Sequence, residues 1–396
     1  MSTPTRGPYT LAPLLLIPGG LALLAGLDAA LTLAGLPAPA SSQRLAVLHG
    51  SLMVLAFLGT VISLERAVAL RQAWGFLAPG LIGLGGIALI VLPDPLLGRL
   101  LLVHGFVLFV AVYAVLWRRN HDHTIAVQAL GAVLAACAAL LLTRVEVAVV
   151  LPLLIVFIVL TIGAERVELA RLAMPAAAGV HLIWWSVACT AAAAATVLWP
   201  LPGWRLLGLI LLGMTLWLVR HDVARRLIKT TGLPRFAAAA LLLGYAWLLL
   251  AGVVLVLVGQ PTEAAYDVVV HATFLGFAMS MILAHAPVIL PAVLRVKLPY
   301  NIFMWVPLAL LHLTLLIRVV AVTLDDFDGW SVGLYGNVVA LLIFVATAVL
   351  TGFLAARPPK PRPFPTPARA AEPAQPVTTS PGTTSPDTSR TETTHA

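Results

Sequence analysis

Four histidines of this sequence lie inside long apolar stretches, where ionisable side chains are rare. His49 opens "HGSLMVLAFLGTVISLERAVAL" and His271 opens "HATFLGFAMSMILAHAPVILP". His104 and His312 interrupt two further stretches, and Arg318 follows His312 by less than two helical turns. An ionisable side chain in a membrane helix costs on the order of 2.5 to 3.5 kcal/mol, so these five residues are the first candidates for a functional site.

Neutral imidazoles on separate helices at one depth suit a metal ion and, in particular, haem iron. At 1.5 Å per residue, His49 and His271 each lie about 6 to 8 Å below the same membrane surface. Gly50 and Ala272 follow them directly, and such small residues would let a porphyrin approach closely. Arg318 could neutralise a propionate. The pattern predicts haem between His49 and His271, with Arg318 nearby.

The composition identifies the elements that must position these residues. Of 396 residues, 61% are hydrophobic and only 10% are charged, whereas about a quarter are charged in a soluble globular protein. The sequence therefore predicts an all-α, polytopic membrane protein in contact with the lipid bilayer. We expect about twelve spans, roughly at 10 to 35, 45 to 66, 74 to 93, 97 to 117, 124 to 143, 147 to 164, 176 to 199, 204 to 220, 236 to 259, 267 to 291, 302 to 323 and 331 to 355.

The distribution of Lys and Arg predicts the orientation of the spans. With a cytoplasmic N-terminus, the inner loops would hold thirteen Lys and Arg residues and the outer loops four: Arg44, Arg99, Arg144 and Arg205. This bias predicts that both termini are cytoplasmic in a bacterial-type inner membrane. It also explains the net charge of +8 without any nucleic acid partner. Residues 1–356 form the predicted bundle, and the Pro-, Thr- and Ser-rich residues 357–396 form a predicted disordered cytoplasmic tail.

A weak repeat suggests three sets of four helices. "ERAVALR" closes span two from Glu65, and "ERVELAR" closes span six from Glu165. Span ten opens on His271 much as span two opens on His49. We interpret the Glu-Arg pairs as interfacial ion pairs that fix helix ends; a proton-entry role is the alternative.

Two of these segments resemble known membrane proteins. "HGSLMV" resembles the second helix of haem-copper oxidase subunit I, and "HATFLGFAMSMILAHAPVILP" is similar to the corresponding helix of the NnrS family. The resemblance implies that His49 and His271 are axial ligands of a haem, b-type by expectation, in a three-by-four helix bundle. It also implies possible copper binding and a role in electron transfer or in nitric oxide and denitrification-related stress. The redox partner is not indicated.

The same comparison excludes a reductase centre of the haem-copper type. Span six has no histidine, and Thr273 stands where a second histidine of span ten would be needed. The sequence therefore leaves open whether the protein is an enzyme.

Other interpretations of the histidines remain open. Each could form a hydrogen bond between helices, and His104 and His312 are either second-site ligands or polar links of this kind. The main functional alternative is a secondary transporter of a small solute, since twelve spans, repeats and buried ionisable residues also suit that class. A structural or assembly role is the third functional interpretation.

Overall fold

The computed structural model describes residues 12–294 and 299–355, and within them it is helical without any strand. The predicted tail at 357–396 lies outside the described residues, as do Arg295 and Lys297. Twelve helices are long and apolar enough to cross a membrane, which confirms the predicted fold class of a multi-pass, all-α membrane protein.

We label these helices α1 to α12. Their bounds are α1 Pro13–Leu33, α2 Ser51–Leu70, α3 Ala73–Val91, α4 Leu96–Asn120, α5 His123–Leu141, α6 Val147–Leu169, α7 Ala178–Leu198, α8 Pro200–His221, α9 Gly232–Val258, α10 Glu263–Val288, α11 Ile302–Thr323 and α12 Phe327–Gly352. The first, tenth and twelfth extend slightly further, to Ala12, Leu294 and Ala355 respectively. The side of the bundle where α2, α4, α6 and α8 end is called the basic side below.

Several helices are longer than the sequence indicates. α8 begins at Pro200 instead of near 204, because proline in the first helical turn lacks only an N–H that would have no partner there. α6 continues past 164 to Leu169, so Glu165 and Arg166 lie inside the helix and not in a loop. The charges did not end this span, because they are paired within the bundle.

Three helices, α2, α6 and α10, occupy the centre of the bundle. In their apolar segments 67, 78 and 72% of the residues are buried, against at most 56% in the other nine. α10 packs on both α2 and α6, while α1 packs on α3, α5 on α7 and α9 on α11. The second helix of each predicted set of four is therefore a central one.

Two of the central helices contain a π-helical segment next to a candidate histidine. His49 and Gly50 lead directly into the π-helical Ser51–Leu58, and His271 leads directly into the π-helical Ala272–Met279. π-helical turns are rare and are frequent at functional sites. The two segments coincide with the stretches that gave the sequence repeat between spans two and ten.

Candidate functional site

His49 is held in one orientation by the neighbouring helix α1. Its Nδ1 lies 2.8 Å from the backbone carbonyl oxygen of Gly26. A carbonyl can only accept, so Nδ1 carries the proton and donates, which leaves the lone pair on Nε2. Nε2 makes no hydrogen bond to any residue in the described ranges. This is the tautomer that a metal-ligating histidine adopts.

His271 adopts the same tautomer on α10. Its Nδ1 lies 2.8 Å from the carbonyl oxygen of Asp267, one turn earlier, and 3.1 Å from Oδ1 of that residue. Both acceptors fix the proton on Nδ1 and again leave Nε2 without a hydrogen-bond partner among residues 12–294 and 299–355. A carboxylate behind an imidazole raises its basicity as a ligand.

The two imidazoles line one cavity. Its inner part is narrow, with a volume of about 80 Å³, is bounded by α1, α2, α10, α11 and α12, and has apolar walls that include Met53, Phe57 and Phe274. A wider outer part of about 880 Å³ also contains both histidines. The outer part falls in the size range of pockets that hold drug-sized ligands. The predicted pairing of His49 with His271 thus has a shared, largely apolar space.

Arg318 lines the same cavity, but its charge is already balanced. Its Nε donates to Oδ2 of Asp267 at 3.0 Å and its Nη2 to Oδ1 at 2.5 Å, and its guanidinium lies 5.4 Å from the ring centre of Trp330. The expectation that Arg318 neutralises a propionate stays a prediction, and Asp267 already pairs with this guanidinium. The sequence placed Asp267 among the loop residues, whereas it lies within α10, one turn before His271.

Two other arginines are better placed to meet an anionic group at the cavity mouth. Arg99 and Arg144 both line its outer part, together with the carboxylates of Glu146 and Glu263. The Nε of Arg99 is buried and has no hydrogen-bond partner in the described part of the chain. Arg44 at the surface does not serve the cavity in this way, since its guanidinium donates to three carbonyl oxygens at the end of α3.

His312 and His104 lie outside this cavity. His312 links three helices: Trp247 Nε1 donates to its Nδ1 at 2.7 Å, and its Nε2 lies 3.2 Å from Oγ of Ser280. With both nitrogens engaged, His312 is a polar link. His104 is exposed on the side of α4 and bonds the carbonyl of Leu100 in its own helix. Neither residue lines the cavity of His49 and His271.

No third protein ligand stands beside the two imidazoles. Within residues 12–294 and 299–355, no group of three or more His, Cys, Asp or Glu side chains is arranged to hold a metal ion. A site with two histidine ligands suits haem, whose porphyrin supplies the other four donors. The described residues provide no comparable ligand set for copper.

A second polar cluster joins α6, α9, α10 and the end of α8 at the basic side. Arg166 makes a bidentate pair with Asp222, at 2.9 and 3.0 Å, and its Nη1 donates to Nε2 of His285 at 2.9 Å. Tyr245 also donates to Asp222, at 2.7 Å. The side chains of Arg166 and Asp222 are 6 and 0% exposed, so the interpretation of Arg166 as part of an interfacial clamp was wrong.

The charge of Asp222 is stabilised by this network. Burial by itself would raise the pKa of the carboxyl group, but the Arg166 guanidinium, the backbone N–H of Ala224 and the Tyr245 hydroxyl all donate to it and lower the pKa below its ordinary value. Asp222 could not be singled out from the sequence, because it follows the last residue of α8 and reads as a loop position.

One known family matches the part of the chain that contains both the cavity of His49 and His271 and the polar cluster around Arg166. The profile of a domain of unknown function, DUF8744, matches residues 12–353. The chain belongs to the DUF8744 family. The match includes His49, His271 and the whole of the twelve-helix bundle, so both cavity histidines lie within the DUF8744 domain. No curated protein matches the chain.

Proposed function

We propose that this DUF8744 protein is a membrane haem protein in which His49 and His271 are the axial ligands. The observation that carries the proposal is that the two imidazoles have the same tautomer and the same kind of hydrogen-bond acceptor. Each donates its Nδ1 proton to a backbone carbonyl and leaves Nε2 unengaged beside one largely apolar cavity. His312, by contrast, uses both nitrogens in hydrogen bonds to other helices and has none left for a ligand.

The residues around the cavity fit a porphyrin. Aromatic and aliphatic walls from Met53, Phe57 and Phe274 suit its faces, and Arg99 and Arg144 suit its carboxylates at the mouth. Bound haem would supply one-electron chemistry. The protein's own contribution is to fix both imidazole tautomers and to exclude water from the inner part of the cavity.

Electron transfer is the role that this ligand set favours. Two imidazole ligands would occupy both axial positions, so a gas such as nitric oxide would have to displace one of them. The NnrS resemblance implies a role in nitric oxide stress, and we propose this stress response as the process that the electron transfer serves. An inner-membrane location with cytoplasmic termini is proposed from the Lys and Arg bias alone.

The secondary transporter remains the alternative. It would use the outer cavity, which holds the Asp267–Arg318 ion pair. The two proposals differ in a simple property, because only a haem protein retains haem at a defined ratio through purification.

The test is the haem content of protein purified from cells with an ample haem supply. We expect about one haem per chain in the wild type, and a loss of most of it in His49→Ala and in His271→Ala. His104→Ala is the matched control, since it removes an exposed imidazole from the same bundle, and it should retain wild-type haem. Wild-type protein without haem would refute the proposal, as would equal haem content in all three variants.

A further inference from the structure

A second cavity lies in the half of the bundle nearest the basic side. It is bounded by α1, α2, α6, α10 and α12 and has a volume of about 1500 Å³, open space included. Its lining is apolar except for four residues, Glu65, Thr161, Glu165 and His285. Phe57 and Leu58 line both this cavity and the one beside His49, so they form the wall between the two.

The cavity opens sideways, between helices, toward the apolar surface of the bundle. Gly20 on α1 and Gly352 on α12 line it, and a Cβ atom placed on either glycine would have no neighbour within 4 Å. Gly20 and Val349 are also exposed on the outer surface of their helices, which faces lipid in a membrane. An occupant can therefore enter from the bilayer.

The polar end of the cavity presents hydrogen-bond acceptors. Glu165 is 13% exposed and makes no hydrogen bond to any residue that the structure describes; Nδ1 of His285 lies 3.9 Å from its Oε1. Glu65 faces it from α2 and is paired with Arg66 at 3.0 Å. The carboxylate of Glu165 is thus available to a hydroxyl donor.

The arginine side chains near this cavity do not line it, because each is bound by other residues. Arg66 is bound by Glu65 and Glu168, and Arg166 is bound by Asp222 and His285. Neither guanidinium lines the cavity. An anionic lipid headgroup would therefore meet the carboxylate of Glu165 and find no free guanidinium in the cavity, so it would be repelled.

We propose that this lateral cavity binds a membrane quinol. Glu65 and Glu165 lie about 6 to 8 Å inside the basic ends of α2 and α6, on facing helices, where they can accept hydrogen bonds from the two hydroxyls of a hydroquinone ring. The apolar remainder of the cavity extends from there toward the middle of the bilayer and takes the isoprenoid chain. The inference goes beyond the proposed haem function and does not depend on it.

The test uses the full-length protein in phosphatidylcholine nanodiscs, titrated anaerobically with decylubiquinol and followed by calorimetry. We expect saturable binding that Glu165→Gln weakens at least tenfold. Glu146→Gln is the control, because it removes a carboxylate directly before the first residue of the same helix and does not line this cavity; it should change the affinity less than twofold. Decylubiquinone, whose carbonyls cannot donate to Glu165, should bind at least tenfold more weakly than the quinol.

A second pair of variants keeps the test decisive if Glu165→Gln fails to fold. Gly20→Leu fills open space at the cavity mouth and should abolish quinol binding, whereas Leu21→Phe enlarges the adjacent lipid-facing residue and should not. Equal quinol affinity in Gly20→Leu and the wild type would overturn the proposal. Competition by decanoate or decylamine as effective as that by the quinol would also overturn it, since the cavity would then select only for an alkyl chain.

Discussion

The carboxylate of Asp267 lies 3.1 Å from Nδ1 of His271, one turn away on the same helix. Because the same carboxylate forms a bidentate pair with Arg318, it couples the imidazole on α10 to a guanidinium on α11. His49 has only the backbone carbonyl of Gly26 behind it. The two imidazoles are therefore alike in tautomer but differ in the acceptors that hold them.

Removal of the Asp267 charge should destabilise the fold. In Asp267→Asn, Arg318 stays buried without a counter-charge, and we expect a loss of about 3 to 5 kcal/mol in the free energy of unfolding. The double variant with Arg318→Met should recover most of that loss, because no buried charge is left. Equilibrium unfolding in mild detergent measures both. A loss below about 1 kcal/mol in the single variant would show that water already solvates this pair.

The link between Trp247 and His312 should matter for stability and not for haem. His312→Leu leaves the Trp247 N–H and the Ser280 hydroxyl without this partner, so we expect a loss of about 1 to 3 kcal/mol in the free energy of unfolding. Haem content should remain at the wild-type level. If His312→Leu loses haem while unfolding at the wild-type denaturant concentration, His312 is a ligand and its assignment as a polar link is wrong.

The Arg166–Asp222 pair should make the stability of the folded protein depend on pH in the acid range. The pKa of Asp222 is lower in the folded protein than in the unfolded chain, so the pair stabilises the fold above the ordinary carboxyl pKa of 3.8. That contribution is lost as the pH falls through the lowered folded-state pKa. Thermal unfolding between pH 7 and 3 should show the loss below about pH 4. The Asp222→Asn variant should show a flatter profile, and identical profiles would contradict the assignment.

The arginines at the cavity mouth should affect how long haem is retained. If Arg99 holds a propionate, Arg99→Gln removes a charge-assisted hydrogen bond worth about 1.5 to 3 kcal/mol and should release haem to apomyoglobin at least tenfold faster. Arg205→Gln is the control, because Arg205 is an arginine of the same predicted side that does not line the cavity. Equal release rates in the two variants would remove Arg99 from the site.

The sequence predicts the architecture well, for a simple physical reason. A helix satisfies all of its backbone hydrogen bonds within one segment, so in a bilayer long apolar runs form helices, and apolar length alone locates twelve spans. The same reasoning places His49 and His271 at one depth, since depth follows from the distance to a helix end. It fails near helix ends that carry charge: Glu165, Arg166 and Asp267 read as loop or interfacial residues, although each lies within a helix.

The residues that form ion pairs between helices could not be predicted from the sequence. The pairs Arg318–Asp267 and Arg166–Asp222 join residues 51 and 56 positions apart, and hydropathy carries no information about which helix faces meet. For the same reason, neither the lateral cavity nor the separation of His312 from His49 could be predicted. Both depend on how the central helices are rotated about their axes.

The spin state of iron in the purified wild-type protein tests the central claim most directly. Two imidazole ligands impose a strong field, so we expect a low-spin ferric signal in electron paramagnetic resonance and sharp visible bands after reduction. His49→Ala and His271→Ala should each convert any retained haem to a high-spin form. A colourless wild-type protein that yields no haem on extraction, or one whose low-spin signal survives both substitutions, would contradict the account.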